Sequence, residues 1–461
     1  MSRPKSRVLK SSFLCNLRIS LSNDNCGLAQ IKKGKEVKEA VQDKEVESEA
    51  NENFELIFNQ KCEVSLEKAK LTIKNKGTLL YEYDLFEDCV FFEALALNSS
   101  EYFVLTDSKA EVSFHPQTAK DLCRWEKALR SQCVVVEEFR PYYKKIEALG
   151  KGGYATVFKV MRRIDGAEFV VKEFKKENPK RTPESILKYF TNEVKLLKYV
   201  KGTRNVPQYV EAYATETTFG IITSCFNGQT LGSLIQAKDR ENRLKHQEMA
   251  KRLRKRKLLE ALEGGDAEES SNTNSQEDGD TSSPKVALSD KTKEEKLDID
   301  EEIPYQKDGL GEQFTKKCAQ QLMQILYMLE HMNVIHNDIK PDNLIFSSDT
   351  SPILNAIDFG TAKIEPYHNV NPPKDVPKAK KVCGTLGYIA PEVLSGYPAN
   401  YRSDVFSVGS VVCSLLFGEP AFRAHESVDL YTVNKKVILN WDDPKFSRAS
   451  PEAVDFLQKV L

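Results

Sequence analysis

Between residues 53 and 135 the apolar positions come in short bursts, at 54–58, 69–74, 78–85, 89–97, 102–106 and 111–115. Lys76-Gly77, Asn98-Ser99 and Asp107-Ser108 fall between bursts as turns, which is the punctuation of a β-sheet. The alternation in Leu71/Ile73 and Val112/Phe114 suits strands that bury one face. Past Pro116 the period lengthens, and Leu122, Trp125 and Leu129 share one side of a helix. The pattern predicts a small sheet closed by one helix. Residues 1–52 hold no period. A basic-rich stretch at 32–38 is followed by an acidic, polar one at 44–52, and the segment reads as a disordered tail.

A second region, residues 144–461, mixes strand-like runs such as Phe169-Val170-Val171 and Gly220-Ile221-Ile222 with helical stretches. Phe314, Leu322, Ile325, Leu326 and Leu329 form one apolar helix face. Residues 238–310 interrupt this pattern. Residues 238–257 hold ten Lys or Arg against three Asp or Glu and suit a helix, whereas 264–280 is acidic, Ser/Asn-rich and without large apolar side chains. The whole stretch is expected to be a disordered insertion. Its basic run fits a nuclear address, an anion- or calmodulin-binding helix, or a solvated extension of the preceding helix, the last being the plainest. Ser283-Pro284-Lys285 has the form of a phosphosite.

Composition narrows the classes. A chain of 461 residues, 40% hydrophobic and 29% charged, has room for about two or three domains with cores of their own. The formal net charge of −1 gives no bulk pull toward nucleic acid, and none is expected as a partner. The ten cysteines are scattered without a C-x-x-C pair, the usage of reduced thiols and not of a disulfide framework or zinc site. The longest apolar run, residues 406–417, is twelve residues with serines inside it, too short to span a bilayer. The N-terminus lacks a continuous apolar region and a small-residue cleavage site. A cytoplasmic location is expected, with recruitment to a membrane or a nuclear role left open.

Candidate chemistry concentrates in His336-Asn337-Asp338-Ile339-Lys340-Pro341-Asp342-Asn343, followed fifteen residues after Asn343 by Asp358-Phe359-Gly360. Upstream lie Gly150-Lys151-Gly152-Gly153-Tyr154-Ala155-Thr156-Val157, then Lys172 at the end of an apolar run, then Glu193 twenty-one residues on. Glycines let backbone N–H groups approach phosphates with no Cβ in the way. Together these motifs resemble those of eukaryotic serine/threonine protein kinases, over residues 144–461 less the insertion.

The resemblance implies an α+β, bilobal kinase domain, with its N-lobe at about residues 144–223 and its C-lobe at about 311–461, cut short at the C-terminal end. It implies ATP and Mg²⁺ as cofactors and protein hydroxyls as substrates. Asp338 would orient and deprotonate the substrate hydroxyl, Lys340 would steady the γ-phosphate, and Asn343 and Asp358 would hold Mg²⁺. Gly150, Gly152, Gly153 and Val157 would cover the nucleotide, and Lys172, held by Glu193, would pair with its α- and β-phosphates. Val157, Val170 and Ile345 would sandwich the adenine, with Ile222 or Thr223 as gatekeeper. Thr385, before Ala390-Pro391-Glu392, is expected beside Asp338 and Lys340, and Asp404 is expected to brace the catalytic-loop backbone.

Residues 53–135 resemble a pleckstrin-homology-like domain, a small β-barrel or sandwich capped by a C-terminal helix. Lys61, Lys68, Lys70, Lys74 and Lys76 are then candidates for a phosphoinositide headgroup. The arginine usual in that binding motif is missing, and a docking or autoinhibitory role, on a partner protein or on the kinase lobes, is preferred. Phe359-Gly360-Thr361-Ala362-Lys363 and Pro420-Ala421-Phe422-Arg423-Ala424 resemble phosphoinositide-dependent kinases of the AGC group, while the rest fits calmodulin-kinase relatives. A pseudokinase scaffold and a phosphoinositide-recruited adaptor are the alternatives. The joint presence of Lys172, Glu193, Asp338, Asn343 and Asp358 favours the enzyme.

Two departures from the family pattern bear on regulation. The arginine usual before the catalytic Asp, which receives a phosphorylated activation-segment residue, is Asn337, and no Ser or Thr lies between Ala362 and Cys383. Receptor and ligand are missing together. Activation-segment phosphorylation is therefore expected not to switch this protein, and the β module or the insertion is expected to do so. Peptide mass spectrometry of active protein should find this segment unmodified; a stoichiometric, activity-raising phosphate there would overturn the expectation.

Overall fold

The computed structural model describes residues 9–20, 54–67, 69–85, 90–97, 100–107, 110–116, 118–130, 132–136, 141–265, 305, 307–365, 382–424 and 429–461. The N-terminal module is built from β1 (Leu9–Ser20), β2 (Phe54–Glu67), β3 (Lys70–Asn75), β4 (Thr78–Asp84), β5 (Phe91–Leu97), β6 (Ser100–Thr106), β7 (Ala110–His115) and α1 (Ala119–Arg130). The strands pair in the order β4-β3-β2-β1-β7-β6-β5, each antiparallel to the next. Lys76 and Gly77 at the β3–β4 turn both have positive φ, 45° and 82°, the signature of a tight hairpin turn whose twist matches its strands.

β1 corrects the expectation of a disordered tail over residues 1–52. Its twelve residues lie in mid-sheet between β2 and β7, with Leu14 opposite both Lys61 and His115. The module therefore begins by residue 9; residues 21–53 lie outside the described residues. Trp125 of α1 is fully buried with Tyr83, Phe92, Phe103 and Phe114. Phe103 stacks on Phe114 at 4.8 Å and faces Trp125 at 6.5 Å, and the buried Tyr83 hydroxyl donates to the Leu105 carbonyl at 3.0 Å.

β8 (Val134–Val136) joins this module to the upper lobe of the second region. It runs parallel to β5 on one side and to β12 (Tyr209–Ala214) on the other. The upper lobe continues the same sheet through β13 (Thr218–Ser224), β11 (Glu168–Lys175), β10 (Thr156–Arg162) and β9 (Tyr143–Lys151), giving thirteen strands among the described residues. α2 (Pro183–Tyr199) packs on its inner face. Thr182 caps that helix by accepting from the Ser185 N–H, and Pro183 occupies its first turn.

The lower lobe starts with α3 (Leu231–Gly265) and α4 (Glu312–His331), followed by β14 (Val334–Ile335), β15 (Leu344–Ser348), β16 (Ser351–Ala356) and β17 (Lys363–Ile364). α5 (Pro391–Leu394), α6 (Tyr401–Phe417), α7 (Leu430–Lys435) and α8 (Pro451–Val460) complete it. α3 corrects the insertion expected to be disordered from about residue 238: it runs unbroken to Gly265, so the basic run extends the preceding helix. Tyr305 returns to this helix, donating to the Asp239 side chain at 3.1 Å beneath the Arg243 guanidinium. Residues 266–304 lie outside the described residues.

α6 is buried nearly throughout, and its serines explain why an apolar run carries hydroxyls. Ser410 and Ser407 donate to the Gly387 and Tyr388 carbonyls at 2.5 and 2.8 Å, anchoring the chain that leads into α5. Asn400 and Ser403 form a capping box at the start of α6, and Gly418 at φ 74° ends it. The Ser403 hydroxyl also donates to Glu392 at 2.6 Å, tying the start of α6 to α5. Cys62, Cys123, Cys133, Cys225, Cys318, Cys383 and Cys413 are free thiols, and among the described residues no helix is long and apolar enough to cross a membrane.

Candidate active site

The site forms where β14 and β17 pair, which draws residues 336–343 and the Asp358-Phe359-Gly360 turn together. His336 is fully buried against Phe359, ring centroids 5.0 Å apart. The buried Asp404 of α6 accepts from the His336 N–H at 2.7 Å and the Asn337 N–H at 2.9 Å. Burial pushes the Asp404 carboxyl up, and the two N–H bonds work against that shift. As expected, this side chain braces the loop backbone. Asn337 has φ 67°, a left-handed conformation that Asn adopts more readily than most residues, and its amide donates to the Thr361 carbonyl at 3.0 Å.

Asp338 is the hub of the next layer. Its Oδ1 accepts from the Thr385 hydroxyl at 2.7 Å, and its Oδ2 accepts from Asn343 at 3.0 Å and lies 2.8 Å from the Lys340 ammonium. Lys340 also donates to Thr385 at 2.8 Å. The hydroxyl, amide and ammonium donors thus fix both carboxylate oxygens of Asp338. The expected grouping of Asp338, Lys340, Asn343 and Thr385 is present.

Lys172 of β11 is the second hub. Its ammonium contacts Glu193 of α2 at 2.8 and 2.9 Å and Asp358 at 2.7 Å. Burial pulls the Lys172 pKa down, but the two carboxylates outweigh it and hold it above the ordinary lysine value. Asp358, despite burial, is held below the usual carboxylate range by Lys172. The Glu193 carboxyl is pushed up to about 7, by burial first and by Asp358 next, against the pull of Lys172. Asp358 itself sits at φ 66°, ψ 76°, accepting from the Gly360 N–H at 3.3 Å.

Gly150, Gly152, Gly153 and Val157 lie on the β9–β10 hairpin that roofs the cleft. A Cβ at Gly150 would meet nothing within 4 Å, and one at Gly152 would meet the Ala155 carbonyl at 3.6 Å. The glycines leave room on the cleft side and are not demanded by neighbouring protein. The β11–β13 register places Ile222 and Thr223 on opposite faces of the sheet. Val171 and Ile222 are paired and both join the outer cluster of that sheet, whereas Val170 pairs with Thr223 on the opposite, cleft face with Lys172. Val157, Val170 and Ile345 are all half-buried.

Several contributors were not read from the sequence. Asn192, beside Glu193, donates to the Gly360 and Ala362 carbonyls at 3.3 and 3.0 Å. Asn205 donates to Leu354 at 2.7 Å, tying the loop before β12 to β16. A polar residue adjacent to the family Glu was the available signal for the first; the second depends on long-range pairing alone.

The residues suit a phosphate-bound divalent ion. Among the described residues no group of three His, Cys, Asp or Glu could hold a metal unaided. Asp358 and the side-chain oxygen of Asn343, whose nitrogen is engaged by Asp338, offer two oxygen ligands. That is the sparse set expected for Mg²⁺, which keeps waters and takes nucleotide phosphates as its remaining ligands.

The raised Glu193 carboxyl yields a pH test. Below about pH 7 Glu193 gains a proton, Lys172 loses one of its two anions, and nucleotide affinity should fall. Titrating Mg-ADP from about pH 8 to pH 6 should show a steeper loss for the wild type than for Glu193→Gln, which stays weak throughout. Both proteins share the nucleotide's own titration, so the difference isolates Glu193. Parallel profiles would refute the assignment.

The sequence model described as "Protein kinase domain" matches residues 143–263 and 291–461, more than half of the chain. Serine/threonine-protein kinase ATG1 of Komagataella pastoris is 31% identical over 173 residues, 34% of this chain and 21% of that protein. Calcium/calmodulin-dependent protein kinase type 1 of Macrobrachium nipponense is 33% identical over 153 residues, 32% of this chain and 42% of that protein. Serine/threonine-protein kinase 17A of Oryctolagus cuniculus is 26% identical over 156 residues, 33% of this chain and 37% of that protein. The chain thus spans well under half the length of each of these relatives. With the match covering both lobes and the paired hubs at Lys172 and Asp338 between them, the chain belongs to the protein kinase family.

Proposed function

We propose that the chain is a Mg-ATP-dependent serine/threonine protein kinase whose α2 is held in place by the N-terminal module. The observation that carries the first part is the assembled pair of hubs: Lys172 with Glu193 and Asp358, and Asp338 with Lys340, Asn343 and Thr385. Asn343 and Asp358 would hold Mg²⁺, which would neutralise charge on the phosphates. Lys172 offers its ammonium to the α- and β-phosphates, with Glu193 fixing its direction. Asp338 accepts a hydrogen bond from the substrate hydroxyl and takes its proton as the hydroxyl oxygen bonds to the γ-phosphorus and the bond to the β–γ bridging oxygen breaks. Lys340 balances charge on the moving phosphoryl group. The Lys340–Thr385 contact supports Ser and Thr as acceptors, in keeping with the names of the relatives.

Transfer of labelled γ-phosphate to a mixed Ser/Thr/Tyr peptide array tests this directly. Label should appear on Ser or Thr, and Asp338→Asn should lower kcat by about 10² to 10⁴, the usual contribution of a positioned base. Nucleotide binding without transfer by the wild type would favour the scaffold reading instead.

The second part rests on contacts between module and lobe. Phe91 of β5 lies 6.3 Å from Phe219 of β13, which stacks at 4.8 Å on Phe190 of α2. Lys198, in the last turn of α2, donates to the module's Leu85 and Gln132 carbonyls. The seven-stranded antiparallel order with a closing helix supports the pleckstrin-homology-like reading. Of its candidate lipid-binding lysines, Lys70 is paired with Glu82 at 3.0 Å, which favours docking over headgroup binding. Phe91→Ala should lower kcat/KM about tenfold while the module stays folded, roughly 1.4 kcal/mol of lost support for α2. Unchanged kinetics, with unchanged hydrogen exchange in α2, would remove this role.

A further inference from the structure

The glycine-rich hairpin carries an aromatic at its tip that the chemistry above leaves unused. The Tyr154 ring lies flat on Tyr189, with centroids 4.0 Å apart and planes 8° from parallel, and the Arg181 guanidinium sits 4.3 Å from the Tyr154 centroid. Tyr189 is on α2, one turn before Glu193 and on the same face. It also touches the other parts of the site. It packs so closely on Gly360 that a Cβ there would come within 2.2 Å of its ring. The Lys172 ammonium lies 5.7 Å from its centroid.

We propose that Tyr154 and Tyr189 form an aromatic latch that positions the glycine-rich loop over the phosphate site. The latch deepens the kinase reading and rests on it. A glycine-rich hairpin is costly to order, and Gly150 and Gly152 have no side chains with which to anchor it. A stacked ring pair offsets part of that cost and excludes water from the roof of the cleft. Because Tyr189 shares a helical face with Glu193, any rotation of α2 that breaks the Lys172–Glu193 pair also moves the platform on which Tyr154 rests. Because Gly360 abuts the same ring, displacement of the Asp-Phe-Gly turn uncovers it too. Loop closure is thereby coupled to two other conditions for phosphoryl transfer. Tyr154 and Tyr189 act as positioning residues through the loop backbone.

The test compares wild type, Tyr154→Ala, Tyr189→Leu, their double variant, Tyr154→Phe and Tyr189→Phe in the full chain. Mg-ADP affinity, KM for ATP, KM for peptide and melting temperature are measured on each. Each ring deletion should weaken Mg-ADP binding and raise KM for ATP about two- to tenfold, the range of one aromatic pair. KM for peptide should stay unchanged, and the double variant should be no worse than the poorer single one. Both Phe variants, which keep a ring but lose the hydroxyl, should behave as wild type. Losses that multiply in the double variant, Phe variants as impaired as ring deletions, or unchanged nucleotide affinity would each overturn the latch. If Tyr189→Leu fails to fold, Tyr154→Ala against Tyr154→Phe decides. If the wild type transfers no phosphate, the kinase reading falls while the Mg-ADP titration still rules on the latch.

Discussion

An ammonium group held between two carboxylates is the constraint on which the rest of this structure depends. Lys172 sits between Glu193 and Asp358, and a buried charge is tolerated only when it is paired. The three residues come from a strand, a helix and a turn far apart in sequence. Every element that delivers one of them must therefore be correctly placed before the charge is satisfied. β11 is fixed by its sheet neighbours, α2 by its packing beneath that sheet, and the Asp358 turn by β14–β17 pairing and by Asn192. One ion cluster reports on the assembly of both lobes.

The lower hub obeys a different economy. Asp338 has its two oxygens fixed by Thr385, Asn343 and Lys340, donors that all come from the lower lobe. Its backbone is set from behind by Asp404, which takes two N–H groups that a tight loop would otherwise leave unmet. That carboxylate sits near the start of α6, a helix buried almost throughout, so the loop is referenced to the most deeply packed part of the core. The upper hub selects a conformation; the lower hub supplies a rigid floor.

Much of the site is legible because its chemistry is short-range in sequence. The residues of 336–343 and the turn at 358–360 carry their own spacing, and Lys172, Glu193, Thr385 and Asp404 stand where the family resemblance puts them. The features that escape sequence reading depend on partners distant in the chain. β1 reads as tail although Phe13, Cys15, Leu17 and Ile19 alternate; the intervening Leu14 breaks the apolar/polar alternation, and the strand's pairing is with residues 54–66 and 110–115 far along the chain. α3 reads as the start of a disordered insertion because its basic end is highly charged and its apolar residues Leu244, Met249, Leu253 and Leu259 are exposed instead of forming a buried stripe. Ser403 as the partner of Glu392, and the stack of Tyr154 on Tyr189, are contacts between side chains that no local pattern announces.

The departure at Asn337 gains its meaning from these contacts. A family arginine at this position ties the catalytic loop to the activation segment through a phosphate, so the tie exists only after modification. Here Asn337 instead donates its side-chain amide to the Thr361 carbonyl, and a second amide, Asn192, grips Gly360 and Ala362 from the side of α2. Neutral hydrogen bonds to backbone do not wait for an added charge and are little affected by salt. The stretch after Asp358 is thus fixed at its start by constitutive contacts. α2 carries Glu193, Asn192 and Tyr189 on one side, while Lys198 in its last turn donates to the module's Leu85 carbonyl on the other.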